Sequence, residues 1–80
     1  MTAESIIAKL TVDYTSTVKF QLTPDVRVQF ACGIDGFWVR VWLKVKGGFG
    51  EIKLAQEKLS HHDLLYRLDD LIGQDLLPCW

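Results

Sequence analysis

The spacing of apolar residues changes period twice along this chain. In "TAESIIAKL" (2–10), Ile6, Ile7 and Leu10 share one side at helical spacing, Thr2 stands where an N-cap belongs, and Glu4 lies in the first turn. From Val12 the period becomes two. Val12, Tyr14, Val18, Phe20 and Leu22 alternate with Asp13, Thr15, Thr17, Lys19 and Gln21, and the β-branched and aromatic content fits a strand. "TPD" (23–25) turns the chain, with proline presetting the dihedral of a type I turn. "VRVQFAC" then sets Val26, Val28, Phe30 and Cys32 inward and Arg27, Gln29 and Ala31 outward. "GIDG" (33–36) is read as a hairpin connection, because its glycines accept positive φ angles.

The third strand, "FWVRVWLKVK" (37–46), is the clearest. Phe37, Val39, Val41, Leu43 and Val45 are expected to be buried, opposite Trp38, Arg40, Trp42, Lys44 and Lys46. "GGFG" (47–50) reverses the chain, and "EIKLAQE" follows with Ile52 and Leu54 expected inward. The helical period then returns. In "LSHHDLLYRLDDLIG", Ser60 is the N-cap, Asp63 completes a capping-box-like pair, and Leu59 and Leu64 suit a hydrophobic staple. Leu64, Leu65, Leu68, Leu71 and Ile72 form one stripe, and Gly73 is placed to end the helix in the left-handed conformation.

These elements predict a single α+β domain over residues 1–80. It is a four-stranded antiparallel meander sheet with a C-terminal helix packed on one face and a short N-terminal helix. Connections this short force neighbouring strands to pair. Four strands at about 4.8 Å make a sheet roughly 19 Å wide, and one helix is about 10–12 Å across. Helix 60–72 therefore needs help to cover the apolar face. Ile6, Ile7 and Leu10, with Leu76, Leu77 and Trp80 of the tail, are candidates; failing them, a second subunit is required.

Composition sharpens that expectation. Of the 80 residues, 49% are hydrophobic, a generous share for a chain that buries only about 60–65% of its unfolded surface, so a homodimer or a protein partner is expected. The net charge of −1 gives no global pull toward nucleic acid or anionic membrane. No apolar run approaches the roughly 18–20 residues that span a bilayer, so no membrane partner is expected. "MTAESIIAKL" has an acid before its short apolar run and no basic leader, so it does not read as a secretory signal. Two well-separated cysteines, Cys32 and Cys79, are no disulfide framework, and the expected setting is the reducing cytoplasm.

Candidate chemistry is sparse. "KGGFGE" lacks the following helix and the Lys-Ser/Thr pair of a phosphate loop. The adjacent histidines of "HHD" (61–63) do not share a helix face as ligands four apart would. No serine or cysteine stands in a strand-to-helix elbow, and no carboxylate pair borders an apolar pocket signature. The expectation is a non-enzyme without cofactor or metal.

That leaves the polar face of the sheet. Straight alternation gives it Lys19, Arg27, Arg40, Lys44, Lys46 and Lys53, six of the nine basic residues, with Trp38 and Trp42, against Asp13, Glu51 and Glu57. The helix and tail carry Asp63, Asp69, Asp70 and Asp75 against Arg67, so the protein reads as polarised. Three readings fit such a face. It is a solvated sheet with cations stacked on indoles, a protein interface, since Trp and Arg are enriched at hot spots, or a platform that stacks unpaired bases while cations track phosphates.

The order of four strands and a helix over residues 12–76, with "GEIK" and "KLSHHDLLYRL" similar to a last strand and helix start, resembles the Whirly-type single-strand-binding coactivator group. That resemblance implies a dimer using its sheets on nucleic acid. The chain carries no diagnostic motif of the group, and its acidic net charge departs from a nucleic-acid binder's. The reading taken first is a non-enzymatic binding, adaptor or regulatory module acting through protein–protein contacts as a homodimer; the alternative is a single-stranded nucleic-acid binder.

Overall fold

The computed structural model describes residues 2–13, 15–47 and 50–80. Helix α1 (Ala3–Val12) begins at Thr2, whose side chain accepts from Ser5 N while the Ser5 hydroxyl accepts from Thr2 N, each at 3.2 Å. This reciprocal pair satisfies two otherwise orphaned amides. Strands β1 (Thr17–Gln21), β2 (Val26–Gly33), β3 (Gly36–Lys44) and β4 (Glu51–Leu59) follow, then α2 (His61–Gly73). The sheet order is β1-β2-β3-β4 with every pair antiparallel, so the α+β meander expected from the periodicity is the fold observed.

Both helices lie on one side of the sheet, α1 against β1 and β2, α2 against β3 and β4, and they touch each other. Ile6, Ile7 and Leu10 from α1 and Leu64, Leu68 and Leu71 from α2 are buried there with Val18, Phe20, Phe30 and Val39. Phe20 and Phe30 meet edge to face, with ring centroids 6.1 Å apart, a favoured arrangement of the two ring quadrupoles.

Several expectations are corrected. Val12 closes α1 instead of opening a strand, and it is exposed. Tyr14, also expected inward, lies outside the described residues, as do Gly48 and Phe49 of the "GGFG" reversal. Strand β3 stops at Lys44, so Val45 and Lys46 already belong to the turn; Val45 N donates to Gly50 O at 3.2 Å, and Gly47 takes φ 70. Val41, Leu43 and Val45 are half-buried and not buried.

Helix α2 ends differently from expectation as well. Gly73 is its last residue, and the left-handed position falls on Asp75 (φ 60). Asp75 N donates to Ile72 O at 3.0 Å and Leu76 N to Leu71 O at 3.3 Å. This is the double hydrogen bond of a Schellman ending, and it brings Leu76 back onto the core beside Leu71.

Strand β4 holds the largest correction. Val41 faces Ala55, but the next residue, Trp42, faces Lys53, so Leu54 is an extra residue bulged out of the ladder. A bulge reverses the alternation beyond it. Leu59 therefore turns into the core, and Glu57 turns to the helix side, where it bonds Arg67 of α2 at 3.1 Å. Ile52 and Leu54, expected inward, are 54% and 55% exposed.

Candidate functional site

The outer face of the sheet is a grid of cross-strand rows. Thr17, Ala31, Trp38 and Lys58 make one row; Lys19, Gln29, Arg40 and Gln56 the next; Gln21, Arg27, Trp42 and Lys53 the third. Lys44 faces Glu51 at the end. Six of the eight residues picked out from the sequence, Lys19, Arg27, Trp38, Arg40, Trp42 and Lys53, are thus held together on one face. Lys44 stands at its margin, and Lys46 lies beyond the strand.

Each indole has a defined seat. Trp38 stands on Gly33, where a side chain's first carbon would come within 3.3 Å of the indole Cδ1. Its cross-strand neighbour is Ala31, which points outward as expected and is buried. Small residues on β2 make the space, and the large one on β3 fills it. The Arg40 guanidinium stacks over Trp38 at 3.9 Å from the ring centroid, a cation–π contact. Trp42 donates Nε1–H to Gln29 Oε1 at 3.2 Å, with Arg27 5.7 Å from its ring centroid. The two tryptophans are four residues apart on β3, about 14 Å at strand rise, with Arg40 between them.

The cations are largely engaged with neighbours. Arg27 grips Glu51 in a two-point bond, Nη2 to Oε1 at 2.7 Å and Nε to Oε2 at 3.1 Å, with its side chain 22% exposed. Such fork geometry is among the strongest charge-assisted contacts available. Arg40 Nε at 3.2 Å and Lys53 Nζ at 2.9 Å both donate to Gln56 Oε1. Lys58 approaches Asp35 at 3.6 Å with both side chains well exposed. Among the described residues, no group of three or more His, Cys, Asp or Glu gathers as a metal site. Cys32 and Cys79 are free thiols.

A second surface, on the helix side, was not singled out from the sequence. Four rows of inward residues cross the sheet there. Cys32, Phe37 and Leu59 form the first; Val18, Phe30, Val39 and Glu57 the second; Phe20, Val28, Val41 and Ala55 the third. Leu22, Val26, Leu43 and Ile52 form the fourth, with Leu22 N bonded to Val26 O at 2.9 Å. Phe37 and Leu59 of the first row, Val18, Phe30 and Val39 of the second, and Phe20 and Val28 of the third are buried. The fourth is apolar from the residue after β1 to β4, yet Leu22 and Ile52 are exposed and Val26 and Leu43 only half-buried. Between the second and third rows and α2, reaching Leu22, lies a groove of ≈ 280 Å³ lined by Leu22, Val28, Val41, Tyr66 and Asp70 among others. The signal for it was the sheet's width against the helices available to cover it.

The sheet's two edges also differ. Lys19 and Cys79 exchange two backbone hydrogen bonds of 2.8 Å, so the C-terminal tail closes the β1 edge. Trp80 beyond it lies under Lys9 Nζ, 4.1 Å from the ring centroid. Strand β4 is the opposite edge, exposed from Glu51 to Lys58. Its bulge and its alternating charges are devices that discourage strand addition.

Among the described residues, no helix is long and apolar enough to cross a membrane. The chain matches no protein-family model, no curated protein and no solved structure with which it was compared.

Proposed function

We propose that this chain is a small cytoplasmic adaptor or regulatory module that performs no catalysis and acts through protein–protein contacts as a homodimer. The observation that carries the reading is the bare fourth row. Leu22, just past β1, with Val26, Leu43 and Ile52 on β2, β3 and β4, presents an apolar surface at one end of the helix-side face. Contiguous apolar patches of this kind on small soluble domains mark contact sites. Several hydroxyl and imidazole groups serve the fold: Ser60 caps α2, Thr2 and Ser5 cap α1, and His61 packs against Phe37 with ring centroids 6.1 Å apart. Sedimentation equilibrium at micromolar concentration tests the reading. A mass of twice 9.1 kDa is expected, and 9.1 kDa alone would count against it.

The second reading, single-stranded nucleic acid on the outer face, is favoured by one observation: Trp38, Arg40, Trp42 and Lys53 share that face. Against it stand Arg27, held by Glu51, and the Trp42 Nε1–H, held by Gln29. Binding of an oligonucleotide would weaken steeply with rising salt as counterions are released, and Trp42→Thr would abolish it with the fold intact. Absence of salt-dependent binding removes this reading.

A further inference from the structure

We infer that residues 77–80 are a releasable strap over the β1 edge, and that this edge binds an extended peptide strand of a partner protein when the strap opens. The site is separate from the bare row on which the homodimer reading rests. The strap itself shows what the edge takes. Lys19 and Cys79 exchange N–H···O bonds of 2.8 Å in both directions, as two residues of an antiparallel pair do. One residue on, Trp80 lies under Lys9 Nζ, 4.1 Å from the ring centroid. The chain's own segment thus stands in for a strand with an aromatic residue just after the paired position. Backbone bonds and one aromatic contact are the means by which a sheet edge recognises an added strand.

The strap is weakly held. Leu76 packs on the core, but beyond it Leu77 is 85% exposed, Cys79 is exposed and Trp80 is 39% exposed. Among the described residues its polar holds are one bridge and the Lys9–Trp80 contact, set against the entropy of ordering four residues. Such a segment belongs to the parts of a fold that open locally. It also leaves much of the edge unused. Backbone groups of alternate residues point the same way in a strand, so Thr17 and Gln21 turn theirs to the edge that Lys19 presents, yet the strap pairs with Lys19 alone. A longer strand could pair at all three positions and displace it. The β4 edge is protected by its bulge at Leu54 and its charges, whereas β1 is regular over its five residues and pairs with β2 without a shift. Two copies are poorly suited to share the β1 edge, since two-fold pairing centred on Lys19 sets like charges directly opposite.

The test uses the full chain with Cys32→Ala, so that the native thiol at Cys79 is the one that remains. Hydrogen-bonded partners of an antiparallel pair lie about 5.5 Å apart at Cα, within disulfide range, so Lys19→Cys locks the strap on oxidation and frees it on reduction. Circular dichroism confirms that each form is folded. The probe is a fluorescent peptide with the sequence of residues 75–80 carrying Cys79→Ser, blocked at both ends. The reduced chain should bind it, and the oxidised chain at least about thirty-fold more weakly. Without the lock, Cys79→Pro removes the N–H that donates to Lys19 O and should tighten binding about ten-fold, since a weakened internal competitor leaves more of the open form. Native-state hydrogen exchange should show the Lys19 amide opening on the order of a hundred-fold more readily than those of Gln29 and Arg40, paired inside the sheet. Equal peptide binding by the locked and reduced forms, or none by Cys79→Pro, would overturn the peptide site. Lys19 exchange as slow as that of the inner amides, or a disulfide that joins two copies, would overturn the strap. A chain that stays monomeric would remove the homodimer reading and leave these outcomes unchanged.

Discussion

The two ends of the sheet's helix-side face are built from the same kinds of residue and meet opposite fates. At one end Phe30 and Val39 are 1% and 3% exposed beneath α1 and α2; at the other Ile52, on the same face, is more than half exposed. Alternation makes a face apolar, but cover depends on how many helices the chain supplies and where their ends fall. A short α1 and a single longer α2 cover one end and leave the other bare. Apolar surface left in water forfeits roughly 25 cal/mol per Å² that burial would return, so the bare end gives a standing incentive to associate.

Mutation of each end should expose this contrast. Leu68 is fully buried at the covered end, so Leu68→Ala should destabilise by about 2–5 kcal/mol through the cavity it leaves; an unchanged denaturation midpoint would contradict the observed helix phase. Ser60→Ala removes the hydroxyl that accepts from Asp63 N at 3.1 Å and should cost about 0.5–2 kcal/mol, measured by urea unfolding. At the bare end Ile52→Thr should change monomer stability, measured at concentrations too low for association, by only about 0.5 kcal/mol or less. A loss comparable to that of Leu68→Ala would mean the row is core after all.

The smallest effect concerns pH. Asp13, at the C-terminus of α1, accepts from the Thr15 hydroxyl at 2.7 Å, the Thr15 amide at 3.0 Å and the Ser16 hydroxyl at 2.9 Å. These bonds, the Thr15 hydroxyl foremost, hold its carboxyl below the ordinary value of 3.8. A lowered folded value contributes stability above the unfolded one, and the contribution disappears as pH falls through the folded value. Asp13→Asn should therefore flatten the loss of stability between pH 4 and more acid conditions, slightly, because the group is fully exposed. Identical acid limbs for both proteins would show that the turn does not depend on this charge.

Much of the fold was legible because periodicity reports faces directly. The meander, the two helix N-caps and the assignment of Trp38, Arg40 and Trp42 to one face all follow from local spacing. What escaped depends on contacts between strands. Nothing in "KLAQE" announces the bulge at Leu54, since no glycine marks it, and that one extra residue sent Glu57 to the helix side. Gly73 looked like the helix end because glycine adopts positive φ most readily, yet Asp75 takes that position because Leu76 must return to the core. On the outer face, residue types were readable but their commitments were not. The Arg27–Glu51 bond joins residues 24 apart and needs β2, β3 and β4 in register first.

Methyl and indole NMR over a dilution series tests most directly whether the bare end is where the protein makes contact. Resonances of Leu22, Leu43 and Ile52 should move as the chain is diluted from the high to the low micromolar range. Those of Ile6 and Ile7 in the covered core, and the Trp42 indole proton on the outer face, should stay in place. Movement of the Trp38 and Trp42 indole signals with the Ile52 methyls unmoved would contradict it, and would assign the contact to the tryptophan face instead.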